Sequence, residues 1–289
     1  MDIRAILMGL AFAVMWSSAF TSARIIVMDA SPLLALSLRY LISGLIGVGI
    51  ALALGQSWRL TPAQWRATII FGVLQNAVYL GLNFIAMQTI EASLAAIIAS
   101  TMPLLVGFAA WAFLGEKLRP LGIAGLFAGV VGVAIIMGAR LGGTVDLYGL
   151  ALCAIGVVAL TAATLLVRGA TSGGNFLMVV GLQMLVGCVA LSIATLLFET
   201  PRIDPSLRLT LAFAYTCLVP GLAATVVWFW LVNRIGATRA ATFHFLNPFF
   251  GVAIAALLLG ETLGPRDILG VAIIAGGILA VQISRQRKR

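Results

Sequence analysis

Uncharged polar and aromatic side chains recur inside apolar stretches of this 289-residue sequence. Asn76, Tyr79 and Asn83 stand at positions i, i+3 and i+7, a spacing that places side chains on one face of a helix. Polar side chains are costly at membrane depth, so they usually face a bundle interior or a water-filled path. The candidate substrate-binding residues are Trp16, Ser17, Gln75, Asn76, Tyr79, Asn83, Ser100, Thr101, Trp228, His244 and Asn247. Such groups suit recognition of a small uncharged or zwitterionic molecule by hydrogen bonds and ring contacts.

Each of these residues also has a structural explanation that the sequence leaves open. Ser and Thr in membrane helices often donate to carbonyls of their own helix. Hydrogen bonds between helices would equally explain Tyr79, Asn83 and His244. Pro103 and Pro248 each free a backbone carbonyl within an apolar run, which suits either a hinge or a plain kink.

Acidic residues are confined to the ends of the apolar runs, in Asp2, Asp29, Glu91, Glu116, Asp146, Glu199, Asp204, Glu261 and Asp267. A proton-driven exporter of cations usually needs a carboxylate within the membrane, so this pattern favours a neutral or zwitterionic substrate. His244 is the one imidazole and the candidate proton carrier, although a packing role is as natural. No phosphate loop, metal-ligand set or nucleophile–base pair is visible, so we expect no enzyme, cofactor or metal site.

The elements that must position these residues are membrane-spanning helices. The sequence is 62% apolar and 9% charged, too few charges to cover a soluble protein of this size. A helix needs about 20 apolar residues to cross a bilayer. Runs of that length predict ten spans, at Arg4–Ile26, Leu33–Leu54, Gln64–Met87, Ala92–Leu114, Leu121–Ala139, Leu147–Val167, Phe176–Phe198, Leu209–Val232, Ala237–Leu259 and Pro265–Ser284. We therefore predict an all-α polytopic membrane protein. Its expected partner is the lipid bilayer, and we expect it to bind no nucleic acid.

Basic residues are distributed unequally between the two sides of the predicted spans. With ten spans, one side carries both termini and twelve basic residues, namely Arg4, Arg59, Arg66, Lys117, Arg119, Arg168, Arg234, Arg239, Arg285, Arg287, Lys288 and Arg289. The other side carries five, namely Arg24, Arg140, Arg202, Arg208 and Arg266, while Arg39 lies inside the second span. The positive-inside rule then predicts a bacterial-type inner-membrane protein with both termini in the cytoplasm.

The sequence repeats itself at a distance of 145 residues, which lays Ala92–Gly132 over Ala237–Gly277. Matching positions include Pro103 with Pro248, Leu114-Gly115-Glu116 with Leu259-Gly260-Glu261, and Pro120 with Pro265. The repeat predicts an N-terminal half at residues 1–140 and a C-terminal half at residues 146–289. Each half holds five spans, so the copies enter the membrane from opposite sides, which is the inverted-repeat architecture of secondary transporters.

The polar candidates do not follow this repeat, because Ser100 overlies Phe245 and Asn83 overlies Trp228. An asymmetric set of polar groups in a symmetric frame indicates a site shaped for an asymmetric ligand. A duplicated structural bundle without a transport path remains the alternative.

A proline within the fourth and ninth spans is followed thirteen residues later by the glutamate of a Leu-Gly-Glu turn, from Pro103 to Glu116 and from Pro248 to Glu261. With the ten spans, this pattern resembles the EamA-type branch of the drug/metabolite transporter superfamily. Within that branch, the chain is most similar to the YddG-type bacterial amino-acid exporters. The resemblance implies a central cavity lined mainly by spans 1, 3, 4, 6, 8 and 9, with spans 5 and 10 as scaffold.

The resemblance further implies export of small metabolites by alternating access around a central midplane cavity, with amino acids, aromatic or otherwise neutral, as the expected substrates. A nucleoside, sugar derivative or polyol remains an alternative substrate. A non-transporting scaffold or receptor is the alternative from another class of protein. Substrate, coupling ion, and monomer or homodimer are left open by the sequence.

Overall fold

A computed structural model describes residues 2–140, 146–167 and 173–286. In these ranges, ten helices are long and apolar enough to cross a membrane. They are α1 (Ile3–Asp29), α2 (Pro32–Ala53), α3 (Pro62–Ala86), α4 (Ala92–Leu114), α5 (Pro120–Arg140), α6 (Leu147–Leu166), α7 (Phe176–Phe198), α8 (Leu207–Ile235), α9 (Ala241–Leu259) and α10 (Pro265–Gln286), with a helical turn at Ala237–Ala240 before α9. The ten predicted spans are confirmed. The basic residues Arg168, Arg287, Lys288 and Arg289 lie outside the described residues.

The outer faces of these helices are apolar, as a bilayer requires. Leu196 on α7 and Leu257 on α9 are 80% and 83% exposed. A soluble protein would cover such side chains, whereas lipid solvates them without cost. The helices therefore bury polar groups within the bundle and present leucine to the surroundings.

Local signals set the helix ends. Thr61 and Gln64 form a capping box at the start of α3, with Pro62 in its first turn. Gly115 and Gly260 end α4 and α9 in the left-handed conformation, with φ of 66° and 69°. Glycine adopts that conformation without a steric penalty, so the Leu-Gly-Glu turns of the repeat are helix stops.

Interruptions of the helices recur at the repeat distance. A π-helical segment begins at Gly72 in α3 and another at Cys217 in α8, 145 residues later. α4 breaks after Thr101 and resumes at Met102, and α9 changes from a 3-10 helix to an α-helix at Asn247, again 145 residues later. Backbone irregularities thus keep the register that the Pro, Gly and Glu matches predicted. π-Helical segments are frequent at functional sites.

Two glutamates that follow helices cap the starts of other helices. The Glu199 carboxylate, just after α7, accepts from the backbone N–H groups of Leu33 and Leu34 at 2.9 and 3.0 Å. Glu261, just after α9, accepts from those of Ala92 and Ser93 at 2.8 and 3.0 Å. A carboxylate at a helix N-terminus satisfies orphan donors and complements the helix dipole.

The chain separates into two compact units, which differ from the two halves of the repeat. Unit 1 comprises Met1–Thr21, Thr89–Leu150 and Ala223–Arg289, and unit 2 comprises Ser22–Gln88 and Ala151–Leu222. Each unit takes segments from both halves of the sequence. The predicted boundaries at residues 1–140 and 146–289 describe the repeat and stay a prediction.

A glycine-lined helix pair forms the core of each unit. In unit 1, α5 packs along α10, where the α-carbons of Gly125 and Gly277 allow backbone contact. In unit 2, α2 packs along α7, where Gly44 and Gly181 have the same effect. Small residues at such crossings let membrane helices approach closely.

Candidate functional site

Four rings from three helices meet in unit 1, at a place we call the aromatic cluster: Phe12, Trp16, Trp228 and His244. Phe12 and Trp16 are one helical turn apart on α1, with ring centroids separated by 5.7 Å. The Phe12 ring lies 4.6 Å from Trp228 of α8 and 5.4 Å from His244 of α9, between centroids. Such edge-to-face and tilted contacts between rings are favourable.

An apolar core next to the aromatic cluster packs its three helices, α1, α8 and α9, against one another. Ala5 of α1, Leu231 of α8 and Phe243 of α9 form a buried core against which Trp228 packs. The Phe243 ring lies over Gly9, where a side chain of any size would collide with it. The side chains of Trp16, Trp228 and His244 remain partly exposed, so the cluster presents ring surface that the protein does not cover.

Polar groups of α9 and α1 border the aromatic cluster. The Asn247 amide Nδ2 donates to His244 Nδ1 at 2.9 Å, and Ser17 Oγ donates to the Asn247 carbonyl at 3.2 Å. With Nδ1 accepting, a neutral His244 carries its proton on Nε2. The Asn247 Oδ1 atom is buried and has no partner among the described residues. The site thus combines ring faces, one imidazole donor and one free acceptor.

The groups of this arrangement are of the kinds that recognise a small molecule through ring contacts and hydrogen bonds. Ring faces stack on planar apolar groups and attract ammonium groups through their quadrupoles. An unsatisfied buried acceptor such as Asn247 Oδ1 gains a hydrogen bond when a donor arrives. These contacts bring together five of the predicted site residues in unit 1, namely Trp16, Ser17, Trp228, His244 and Asn247.

The helix 3 residues predicted for the site lie in unit 2, in a second group that we call the polar cluster: Tyr40, Asn76, Tyr79, Asn83 and Cys153. Asn76 Nδ2 donates to the Gln183 carbonyl at 2.9 Å, and its Oδ1 accepts from the Tyr40 hydroxyl at 3.3 Å. Asn83 Nδ2 donates to the Tyr79 carbonyl at 2.8 Å, while the Cys153 thiol donates to its Oδ1 at 3.4 Å.

Glycines on the facing helices make room for these amides. A side chain at Gly156 of α6 would come within 2.9 Å of Asn83 Nδ2, and one at Gly187 of α7 within 2.5 Å of Asn76 Cβ. Asn76, Tyr79 and Asn83 are at most 3% exposed, and protein groups occupy the hydrogen-bonding atoms of both amides. The polar cluster ties α3 to α6 and α7, and its role in substrate binding stays a prediction.

The remaining candidates, Gln75, Ser100 and Thr101, are part of neither cluster. Ser100 Oγ donates to the Ala96 carbonyl at 2.6 Å and Thr101 Oγ1 to the Ile98 carbonyl at 2.7 Å, which is the local bonding that the sequence left open. Gln75 lies half-buried in the π-helical segment of α3.

Pro103 and Pro248 each stand in the first turn of the helical segment that follows a break. The missing N–H of proline costs nothing at that position, so both prolines suit a helix restart. Their action as hinges stays a prediction.

Three residues of these clusters are not among the predicted ones, namely Phe12, Tyr40 and Cys153. Phe12 contributes the ring that contacts the other three, and its signal in the sequence is the i, i+4 spacing to Trp16. Tyr40 contributes the hydroxyl that meets Asn76, and only tertiary structure brings it there.

Three similar proteins are transporters or exporters by name. The chain is 26% identical over 285 residues to the uncharacterized transporter YvbV of Bacillus subtilis, covering 97% of this chain and 92% of the relative. It is 22% identical over 281 residues to the uncharacterized transporter YoaV of the same organism, covering 95% of each. A shorter match, 30% identical over 112 residues and covering 39% of each chain, joins it to the aromatic amino acid exporter YddG of Ancylobacter novellus.

Solved structures and family models agree with the fold. One crystal structure matches over 100% of both chains with a TM-score of 0.70 and 22% sequence identity. The model of the EamA-like transporter family matches twice, over residues 3–138 and 147–283. The two matches correspond to the two five-helix repeats of a ten-helix, multi-pass membrane protein. With nearly the whole chain matched, the protein belongs to the EamA-like transporter family.

Proposed function

We propose that this transporter exports amino acids, aromatic or otherwise neutral, from the cytoplasm by alternating access. The observation that carries the proposal is the aromatic cluster, whose partly exposed rings stand beside the free acceptor of Asn247. Ring faces suit the side chain of an aromatic amino acid, and a carbonyl-type oxygen suits a donor such as its ammonium group. The match to an aromatic amino acid exporter over 39% of the chain supports the same substrate class.

The placement of carboxylates argues against a cationic drug as the substrate. Each of the nine acidic residues lies in a connection or within three residues of a helix end. A transporter that exchanges a cation for a proton usually holds a carboxylate within the membrane. A substrate without net charge needs no such group.

Direction and location are part of the proposal. Twelve basic residues are assigned by sequence to the side of the termini and five to the other side. This imbalance supports a bacterial inner membrane with both termini in the cytoplasm. Export then moves the substrate away from the termini.

Counterflow in proteoliposomes tests the proposal. Vesicles containing the full chain are loaded with unlabelled amino acids, and entry of a labelled aromatic or aliphatic amino acid is followed at two external pH values. Labelled choline, a cation without a carboxylate, and vesicles without protein serve as controls.

Accumulation above the controls without an imposed pH gradient supports an amino-acid exchanger. Uptake only under a pH gradient also supports an amino-acid carrier and makes His244 the candidate proton carrier. No counterflow with any amino acid contradicts the proposal and directs the search to other neutral metabolites.

A further inference from the structure

Arg39 is a buried cation within a membrane-spanning helix. It is the eighth residue of α2 (Pro32–Ala53) and is 6% exposed. A long basic side chain near a helix end can reach the interface, but this one is buried. A charge in such surroundings is costly unless another group pairs with it.

Among the described residues, the guanidinium of Arg39 has a donor without such a partner. Its Nε atom is buried and has no hydrogen-bond partner among the described residues. The acidic residues are confined to connections and helix ends, and the ion pairs of Arg202 with Asp204 and of Arg234 with Asp2 lie there as well. The guanidinium carbon lies 5.2 Å from the centroid of the neighbouring Tyr40 ring. A ring contact leaves the donors of the fork unused.

A gap in the facing helix lies beside this fork. Gly221 belongs to the π-helical segment of α8, which also contains Pro220. A β-carbon added to Gly221 would lie 3.1 Å from the Thr216 carbonyl oxygen, 3.4 Å from Ser43 Oγ and 3.8 Å from Arg39 Nη2. The absence of a side chain at Gly221 therefore leaves room next to Nη2. Nη2 and Nε form one edge of the planar guanidinium, the edge that can donate two parallel hydrogen bonds.

We propose that Arg39 binds the carboxylate of the transported molecule, in a subsite that Ser43 and Gly221 border within unit 2. The inference rests on the proposed export of amino acids and names the substrate group that this part of the protein recognises. A carboxylate supplies both the missing negative charge and the two acceptors that match the Nε–Nη2 edge. An ester or amide of the same molecule lacks that charge and binds more weakly.

Binding is measured first, without transport, on the full chain purified in detergent. The thermal unfolding midpoint is followed with three matched pairs: L-phenylalanine and L-phenylalaninamide, L-leucine and L-leucinamide, and benzoate and benzamide. We expect at least one carboxylate to raise the midpoint more than its amide does. Arg39→Gln should weaken binding of that carboxylate at least tenfold and leave binding of its amide unchanged. Arg39→Lys, which keeps a positive charge, should bind the carboxylate more tightly than Arg39→Gln does.

Arg24→Gln is the matched control, because Arg24 also lies in a membrane-spanning helix but already donates to a protein group, the Met87 carbonyl. It should lower the unfolding midpoint without changing the preference for carboxylate over amide. An equal loss of that preference in Arg24→Gln and Arg39→Gln would show a general structural effect and overturn the proposal.

A second variant keeps the proposal testable if Arg39→Gln does not fold. Gly221→Ala retains the charge but fills the gap beside Nη2, so it should also weaken carboxylate binding. Gly276→Ala, which adds the same methyl group where no atom lies within 4 Å, should not. Wild-type affinity in Gly221→Ala would contradict the assignment of the gap.

The lipid headgroup is the other source of an oxyanion. One outcome is that phosphatidylglycerol stabilises the wild type but not Arg39→Gln, while no carboxylate has any effect. This outcome overturns the substrate assignment in favour of a lipid phosphate. No preference for any carboxylate, and none for this lipid, overturns the oxyanion site altogether. Carboxylate binding that depends on Arg39 without amino-acid counterflow upholds the subsite and contradicts only the proposed transport.

Discussion

Two tryptophans of α8, one in the aromatic cluster and one outside it, allow a test of whether the cluster contacts the substrate. Trp228 belongs to the aromatic cluster, whereas Trp230, two residues later, is 58% exposed. If ring contact contributes about 1 kcal/mol to transition-state binding, Trp228→Ala should reduce kcat/KM for amino-acid counterflow roughly tenfold or less, and Trp230→Ala should leave it unchanged. Initial rates in proteoliposomes at several substrate concentrations check the prediction. Equal effects of the two variants would remove the aromatic cluster from the substrate path.

Asn83 offers a prediction about stability rather than binding. The sequence alone predicts that Asn83→Ala reduces transport and leaves folding intact. In the structure, Asn83 is 1% exposed and bonded to the Tyr79 carbonyl and the Cys153 thiol. Removing its amide leaves buried partners unsatisfied, which costs about 1–3 kcal/mol. We therefore expect a lower thermal unfolding midpoint in detergent.

Asn233 provides the control for Asn83, because it is an exposed asparagine near the end of α8. Asn233→Ala should leave the midpoint unchanged. A wild-type midpoint for Asn83→Ala, with reduced transport, would return Asn83 to the substrate site as the sequence predicted.

At the scale of helices, neighbouring glycines of α10 test the contact with α5. A β-carbon at Gly277 would lie 2.6 Å from the Gly125 carbonyl, whereas one at Gly276 would have no atom within 4 Å. Gly277→Ala should destabilise the protein by about 1–3 kcal/mol, because backbone atoms cannot move aside for the methyl group. Gly276→Ala should be neutral or slightly stabilising. Thermal unfolding of both variants in detergent decides, and equal midpoints would contradict this account of the helix pair.

Repetition at the helix scale was visible in the sequence only in part. The Pro, Gly and Glu matches predicted that α4 and α9 correspond. The π-helical segments of α3 and α8 share the same 145-residue register, although Gln75 in α3 stands where α8 has Pro220. Backbone hydrogen bonding, unlike side-chain identity, leaves no direct trace in the sequence, so this correspondence required the structure.

At the scale of the whole molecule, the charge imbalance predicts where the termini lie. A fluorescent protein fused to the C-terminus should fluoresce in a bacterial host, because it folds in the cytoplasm. Alkaline phosphatase fused after Asp204, between α7 and α8, should be active, because that connection is predicted on the opposite side. An inactive phosphatase at that position together with a dark C-terminal fusion would reverse the predicted orientation and the direction of export.

The sequence by itself determined the ten helices, the repeat and the helix ends. Apolar run length, positive charge at the ends of the runs, and proline or glycine at the turns are local properties, and each acts on its own segment. It also indicated that Asn76, Tyr79 and Asn83 share a face, and all three are buried in the structure. Helical spacing decides this without reference to other helices.

Tertiary structure decided which of these polar groups still have bonds to offer. The spacing on α3 does not show that the amide of Asn83 is hydrogen-bonded to Cys153 and that of Asn76 to the Gln183 carbonyl. These partners are 70 and 107 residues away in the sequence. Nor does the sequence show that Asn247 and Arg39 each keep a buried atom without a partner. A hydrogen bond depends on distances of about 3 Å between helices that are far apart in the chain. For that reason the fold follows from local pattern, whereas the candidate site follows only from how the helices meet within each unit.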